Sequence, residues 1–191
     1  MTAIYMPAGL PLHPWKAKKV LIVGSGAVGS RIAHSLVDMG VADTTVSDDA
    51  RLPQQNVQDV QAGSCRQNKV ALIINCADTV FTRMSVWKQV KKNQTQHPLY
   101  IDVRLVAGGA VIYSFLPCNE LERGKYEHTL LSKSEDCSSE SESFGDVLVS
   151  ALATTAVVSV VTTFLQTGAL EVFEMGFTFE PSWVQSSDFA P

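Results

Sequence analysis

No two of the four cysteines lie close enough in the chain to form a metal-binding pair. Cys65, Cys76, Cys118 and Cys137 show no C-x-x-C spacing. Structural zinc usually shows paired ligands, so zinc is not expected. His13, His34, His97 and His128 form no H-x-x-x-H or H-E-x-x-H pair, which removes the commonest metalloenzyme signatures. There is no nucleophile elbow, no Walker-A loop and no internal repeat. Nor is there an excess of positive charge. The 15 Lys and Arg against 19 Asp and Glu leave a net charge of −4, so nucleic acid is not expected as a partner. Met1–Leu12 lacks the basic start and long apolar run of a secretory signal. Free thiols and a cytoplasmic location are the default expectation.

The 191 residues are 46% hydrophobic and 18% charged, the composition of one ordinary globular domain. Residues 1–17, with Pro7, Pro11 and Pro14, read as an extended lead-in. Lys19–Val23 (KVLIV) is a continuous apolar run, as in a strand buried on both faces of a parallel sheet. Val28, Ile32, Leu36 and Met39 then recur at helical spacing, with Gly40 as the C-cap candidate. Thr44–Ser47 is the second strand, and 51–68 read as a loop with at most one short helix. Val70–Cys76 is the third strand. Thr79–Lys92 is expected to be a helix with Val80, Met84 and Trp87 inward. Leu99–Val103 is the fourth strand, and 109–116 alternate as a strand or hairpin arm. Residues 132–143 (SKSEDCSSESES) are acidic and low in complexity, hence a mobile loop. Phe173, Met175, Phe177 and Phe179 alternate as a final strand, and 180–191 read as a loose tail.

Val147–Leu170 contains no charged residue and is long enough to span a bilayer. Thr155, Ser159 and Thr162 share one helical face within it. Real spans are more strongly apolar, so a core helix at 146–166 is the preferred reading over a membrane span. Its small and hydroxylated residues suit close packing on a sheet or a partner subunit. The whole reads as α/β: a Rossmann-like, mostly parallel sheet with helices on both faces and antiparallel strands in the C-terminal half, over residues 18–179.

The chemistry-bearing motif is Gly24-Ser25-Gly26-Ala27-Val28-Gly29, a G-x-G-x-x-G turn between a strand and a helix. In such a turn Gly24 permits the tight bend, Gly26 lets phosphate reach the backbone, and Gly29 lets helix and strand pack closely. Phosphate would meet free N–H groups at the helix N-terminus. Asp48 follows Gly29 by 19 residues, where a carboxylate can accept ribose hydroxyls. Asp78 follows the third strand directly. It reads equally as a ligand for Mg²⁺ on nucleotide phosphates or as a helix N-cap. Cys137 lies on the acidic loop and is a candidate nucleophile. Glu135, Asp136 and Glu140 oppose its thiolate. Cys76 reads as a small buried side chain.

Residues 20–49, VLIVGSGAVGSRIAHSLVDMGVADTTVSDD, resemble the ThiF/MoeB/HesA family, the E1-like adenylyltransferases that activate ubiquitin-like proteins. NCADTVFTR (75–83) is similar to the family's strand-end Asp with an Arg a few residues on. YIDVRLVAGGAVIYSF is similar to its next strand and hairpin. The resemblance implies ATP and Mg²⁺ as cofactors, with a carrier's C-terminal carboxylate attacking the α-phosphate. The carrier would be a ubiquitin-like or sulfur-carrier protein, and the enzyme a homodimer. By position, Gly24, Gly26 and Gly29 would hold phosphate, Asp48 the ribose, Asn56 and Lys69 the phosphates, and Asp78 the Mg²⁺. Cys137 falls where the family has a cysteine-bearing loop.

The chain departs from the pattern at several points. Asp59 stands where the family's Arg is expected, Ala50 replaces the second Asp of D-x-D, and the zinc cysteines are missing. Lys69 is only nine residues before Asp78, too short for the family's intervening helix and strand. These departures describe a shortened form. They leave open a catalytically inactive nucleotide-binding or protein-interaction relative, and an NAD-dependent oxidoreductase as the third reading.

Overall fold

A computed structural model describes residues 19–41, 44–47, 70–92, 99–106, 108–131, 144–180 and 183–186. The seven strands are β1 (Lys19–Val23), β2 (Thr44–Ser47), β3 (Val70–Asn75), β4 (Leu99–Val106), β5 (Gly109–Phe115), β6 (Glu174–Glu180) and β7 (Trp183–Ser186). The helices are α1 (Ala27–Asp38), α2 (Val80–Lys92), α3 (Glu120–Leu131) and α4 (Phe144–Thr167). The strands form one sheet in the order β2-β1-β3-β4-β5-β6-β7. The first four run parallel, and β5, β6 and β7 each pair antiparallel with the strand before.

Period-two alternation sorts the strand side chains between two cores. Val20, Ile22, Leu72, Ile74, Leu99 and Ile101 face one side, under α1 and α4. Leu21, Val23, Ile73 and Tyr100 face the other, under α2 and α3. Each fully buried aliphatic of this kind contributes roughly 1.5–3 kcal/mol. Helix α1 buries Val28, Ile32 and Leu36. It stops in a Schellman motif: Gly40 takes φ +74°, and the N–H groups of Gly40 and Val41 bond the carbonyls of Val37 and Leu36. The expected C-cap glycine therefore sits one residue beyond the cap itself, which is Met39.

Helix α4 buries Val149, Ala153, Val157, Val161 and Phe164 against the sheet and α1, while Thr155 and Ser159 face outward. Its stretch Val147–Thr167 is long and apolar enough to cross a membrane by length and composition. In this fold, one face of it closes the larger core.

Four expectations need correction. Helix α2 turns Arg83, Val86, Trp87 and Val90 to the sheet, and Met84 outward. Arg83 takes the inward place because a buried carboxylate awaits it. Helix α3 was not foreseen. Its cap is Asn119, whose Oδ1 accepts the N–H groups of Leu121 and Glu122 at 3.1 and 3.4 Å. Its inward face carries Tyr126 and Leu130 over the aromatic core. The strand containing Phe177 is not the last, because β7 in the supposed tail pairs with β6. The fourth strand runs on to Val106, forming a hairpin with β5.

Candidate functional site

The chain leaves β1 towards one face of the sheet, through α1, and leaves β3 towards the other, through α2. Neighbouring parallel strands whose connections diverge in this way open a crevice beyond their carboxyl ends. That switch point is where α/β sheets bind ligands. Here the ends of β1, β2 and β3 are tied together. The N–H of Gly24 bonds the carbonyl of Ser47 at 2.7 Å, and the N–H of Cys76 bonds the carbonyl of Val23 at 2.7 Å.

The three glycines separate by what surrounds them. Gly24 adopts φ +95°, and a Cβ there would lie 2.7 Å from the Cys76 carbonyl oxygen. A Cβ on Gly29 would lie 2.0 Å from the Gly24 oxygen and 3.4 Å from Cys76 Cβ. Both glycines are required by the protein's own packing. Gly26 is different: it is exposed, and among the described residues nothing lies within 4 Å of a Cβ built on it. It is also the N-cap of α1 and offers no capping side chain. The first-turn amides of a helix lack intrahelical acceptors. Together with the absence of acidic residues from that turn, this leaves a positive helix end facing open space.

A prediction follows from the contrast. Gly29→Ala should cost about 1–3 kcal/mol of stability, because its clash is with backbone. Gly26→Ala should stay within about 1 kcal/mol, the cost of a poorer cap, while weakening anion binding. Urea unfolding of both variants checks this, and equal losses would refute the assignment of separate roles.

Asp78 lies two residues beyond Cys76, on the turn that abuts Gly24. Its side chain is exposed, and no hydrogen bond or ion pair engages it among the described residues. The capping alternative falls to its neighbour: Thr79 Oγ1 accepts the Thr82 N–H at 3.2 Å and donates to Thr82 Oγ1 at 2.9 Å. The Asp78 carboxylate is thus left available at the crevice mouth. An α1 end without a side-chain cap and, among the described residues, open space at Gly26 and an unpartnered carboxylate on the adjoining turn are what a phosphate with a bound cation would need.

Beneath the mouth lies a polar cluster that sequence reasoning missed. Asp102, fully buried on β4, accepts hydrogen bonds from Arg83 Nη1 of α2 and from Arg104 Nε at 2.8 Å. Arg104 reaches on to the carbonyl and hydroxyl of Thr129 on α3, at 3.2 and 2.9 Å. It also lies 4.7 Å above the Tyr113 ring. Burial works against the charge of Arg104, but the Asp102 charge and hydrogen bond outweigh it and raise the pKa. Two guanidiniums against one carboxylate leave the cluster one positive charge in excess. The signal was present in the alternation of β4, where Tyr100, Asp102 and Arg104 share one face while Leu99, Ile101 and Val103 take the other.

Cys76 sits between this cluster and the glycine turn. Burial, reinforced by the Asp102 carboxylate and opposed by Arg83, pushes its thiol up to about 12. It is a packing residue, as expected, and not a nucleophile at neutral pH. Asp48, Asn56, Lys69, Asp59 and Cys137 lie outside the described residues. Of the assigned site, the structure brings together Gly24, Gly26, Gly29 and Asp78.

No protein-family model matches the chain, and no curated protein matches it. Among solved structures, E. coli MccB aligns over 91% of this chain and 62% of its own, at 15% identity and a TM-score of 0.58. A complex of E. coli MccB with AMPCPP and MccA aligns over 91% of this chain and 64% of its own, at 14% identity and a TM-score of 0.51. PaaA aligns over 91% of this chain and 73% of its own, at 11% identity and a TM-score of 0.56. The chain therefore spans less than two thirds of MccB. What the chain shares with MccB and PaaA is the fold, a Rossmann-like α/β arrangement.

Proposed function

We propose that the protein is an ATP-dependent adenylyltransferase that activates the C-terminal carboxylate of a carrier protein or peptide. The carrying observation is the contact between the Gly24–Gly29 turn and the Cys76–Asp78 turn. It brings the turn that opens α1, which has no side-chain cap, against the turn that carries Asp78. The fold shared with MccB supports this reading, since MccB has been solved with AMPCPP and MccA together.

In this reading the first-turn amides of α1 bind nucleotide phosphate, and the open space over Gly26 admits it. Asp48 holds the ribose, and Asn56 and Lys69 approach the phosphates. Asp78 would hold Mg²⁺, which would supply positive charge to the phosphates. The carrier's carboxylate oxygen attacks the α-phosphorus. The bond to the bridging oxygen breaks, and pyrophosphate leaves with an acyl-adenylate remaining. Such a step needs positioned charge more than a covalent catalyst. Cys137 as a later nucleophile, a homodimer using the outward face of α4, and a cytoplasmic location belong to the same proposal.

Exchange of labelled pyrophosphate into ATP tests it. Exchange should require Mg²⁺ and a carrier with a free C-terminal carboxylate, and should vanish when that terminus is amidated. ATP binding without exchange, for any carrier ending in Gly-Gly, would favour the inactive interaction relative, to which Asp59 in place of the expected Arg points. NAD binding without ATP binding would favour the oxidoreductase.

A further inference from the structure

The turn that carries Asp78 is held from within the protein by a side chain that never reaches the crevice. Asn75 closes β3, is fully buried, and stands opposite Asp102 in the β3–β4 register. Its Oδ1 accepts the Ala77 N–H at 3.2 Å. Its Nδ2 donates to Tyr100 Oη at 3.1 Å, and Tyr100 Oη lies 3.2 Å from Tyr126 Oη. The two ends of the carboxamide cannot exchange places, because an N–H must meet an acceptor and the Ala77 amide offers none. Burial, with the Asp102 charge, raises the pKa of Tyr100, so its hydroxyl stays protonated and the network stays neutral.

The chain on either side of Asp78 is anchored at three points. The Cys76 N–H is bonded to β1 and the Ala77 N–H to Asn75. The start of α2 is fixed by Thr79. Asp78 is the residue between these anchors, and it is the one left exposed. A turn pinned from both sides has the Cα–Cβ direction of its carboxylate set before any cation arrives, and supporting residues tune a metal ligand in this way.

We infer that Asn75 is a positioning residue for Asp78: its buried carboxamide holds the Cys76–Asp78 turn in the geometry that lets the carboxylate bind nucleotide-associated Mg²⁺. The inference rests on the nucleotide-binding reading above. The network of Asn75, Tyr100 and Tyr126 carries that geometry down to α3.

Titration calorimetry of ATP, in Mg²⁺ and in EDTA, separates the two ideas. Wild type should bind ATP more tightly with Mg²⁺, and Asp78→Ala should lose that gain. Asn75→Ala should lose about 10-fold of the gain, the usual scale for a supporting residue, and keep its metal-free affinity within about 2-fold. Asn75→Asp should restore it, because an oxygen still meets the Ala77 N–H and the excess positive charge of Arg83, Asp102 and Arg104 offsets the new carboxylate. An Asn75→Ala protein that keeps the whole gain lost in Asp78→Ala overturns the inference while the nucleotide reading stands. A wild type with no Mg²⁺-dependent ATP binding overturns both, and does so before any variant is made. Should Asn75→Ala not fold, Asn75→Leu decides: it keeps the volume and removes the oxygen that meets the Ala77 N–H, and an undiminished Mg²⁺ gain there refutes the positioning role.

Discussion

Asp78→Ala is expected to lower ATP–pyrophosphate exchange by about 100-fold or more, the scale on which removal of one preorganised charge-stabilising group acts. Stability should change by less than about 0.5 kcal/mol, as for surface positions away from special contacts. The asymmetry follows from what Asp78 does not do. Its carboxylate is exposed and makes no hydrogen bond among the described residues. The helix cap that was its alternative role is made by Thr79. Removing it costs the fold almost nothing, so a large kinetic effect would belong to the site. Asp78→Asn should be nearly as damaging, because it keeps the shape and loses the charge that binds a hard cation. Exchange assays paired with urea unfolding give both readings. Exchange within 10-fold of wild type in both variants would mean that another group holds the cation. A stability loss above about 2 kcal/mol would mean that Asp78 is structural.

Asp102→Ala should be the most damaging single change to the fold. Asp102 is fully buried and answers two arginines that are nearly so. Removing one partner of a buried ion pair costs about 3–5 kcal/mol, because the remaining charge is stranded in a poor solvent. Here two guanidiniums would be stranded. A domain of this size has about 5–15 kcal/mol in total, so the variant should be marginal or unfolded at 37 °C. The same argument makes a second prediction that a simple packing defect would not. Replacing Asp102 with Leu and both Arg83 and Arg104 with Met should recover most of the stability, because no buried charge is left alone. Denaturant midpoints of the single and triple variants measure it. If Asp102→Ala loses under about 1 kcal/mol, or if the triple variant is worse than the single, the ion cluster is not what holds α2 and α3 to the sheet.

The parts of this molecule that could be read directly were the parts whose signals are local. In the opening β1–α1–β2 unit, an apolar run, a glycine turn, a helical stripe and a C-terminal glycine follow one another between Lys19 and Gly40. Each element states its own period. The aromatic side of the sheet was harder. Helix α3 carries Gly124 in its interior and only a sparse apolar face, so its helical character depends on the Asn119 cap and on the sheet beneath it. Helix α2 misled for a related reason. Met84 is the more apolar residue and Arg83 the more polar, yet Arg83 turns inward.

The sequence by itself determined the strand–turn–helix that faces the crevice, the glycine pattern within it and the alternating character of the sheet. Those depend on neighbours along the chain. Tertiary structure alone decided which charges could be buried, that Thr79 and not Asp78 caps α2, and that Asn75 ties the site to two tyrosines twenty-five and more residues away. The reason is desolvation: a charge or an amide inside a protein is tolerable only with its partner in place, and those partners come from other strands and helices.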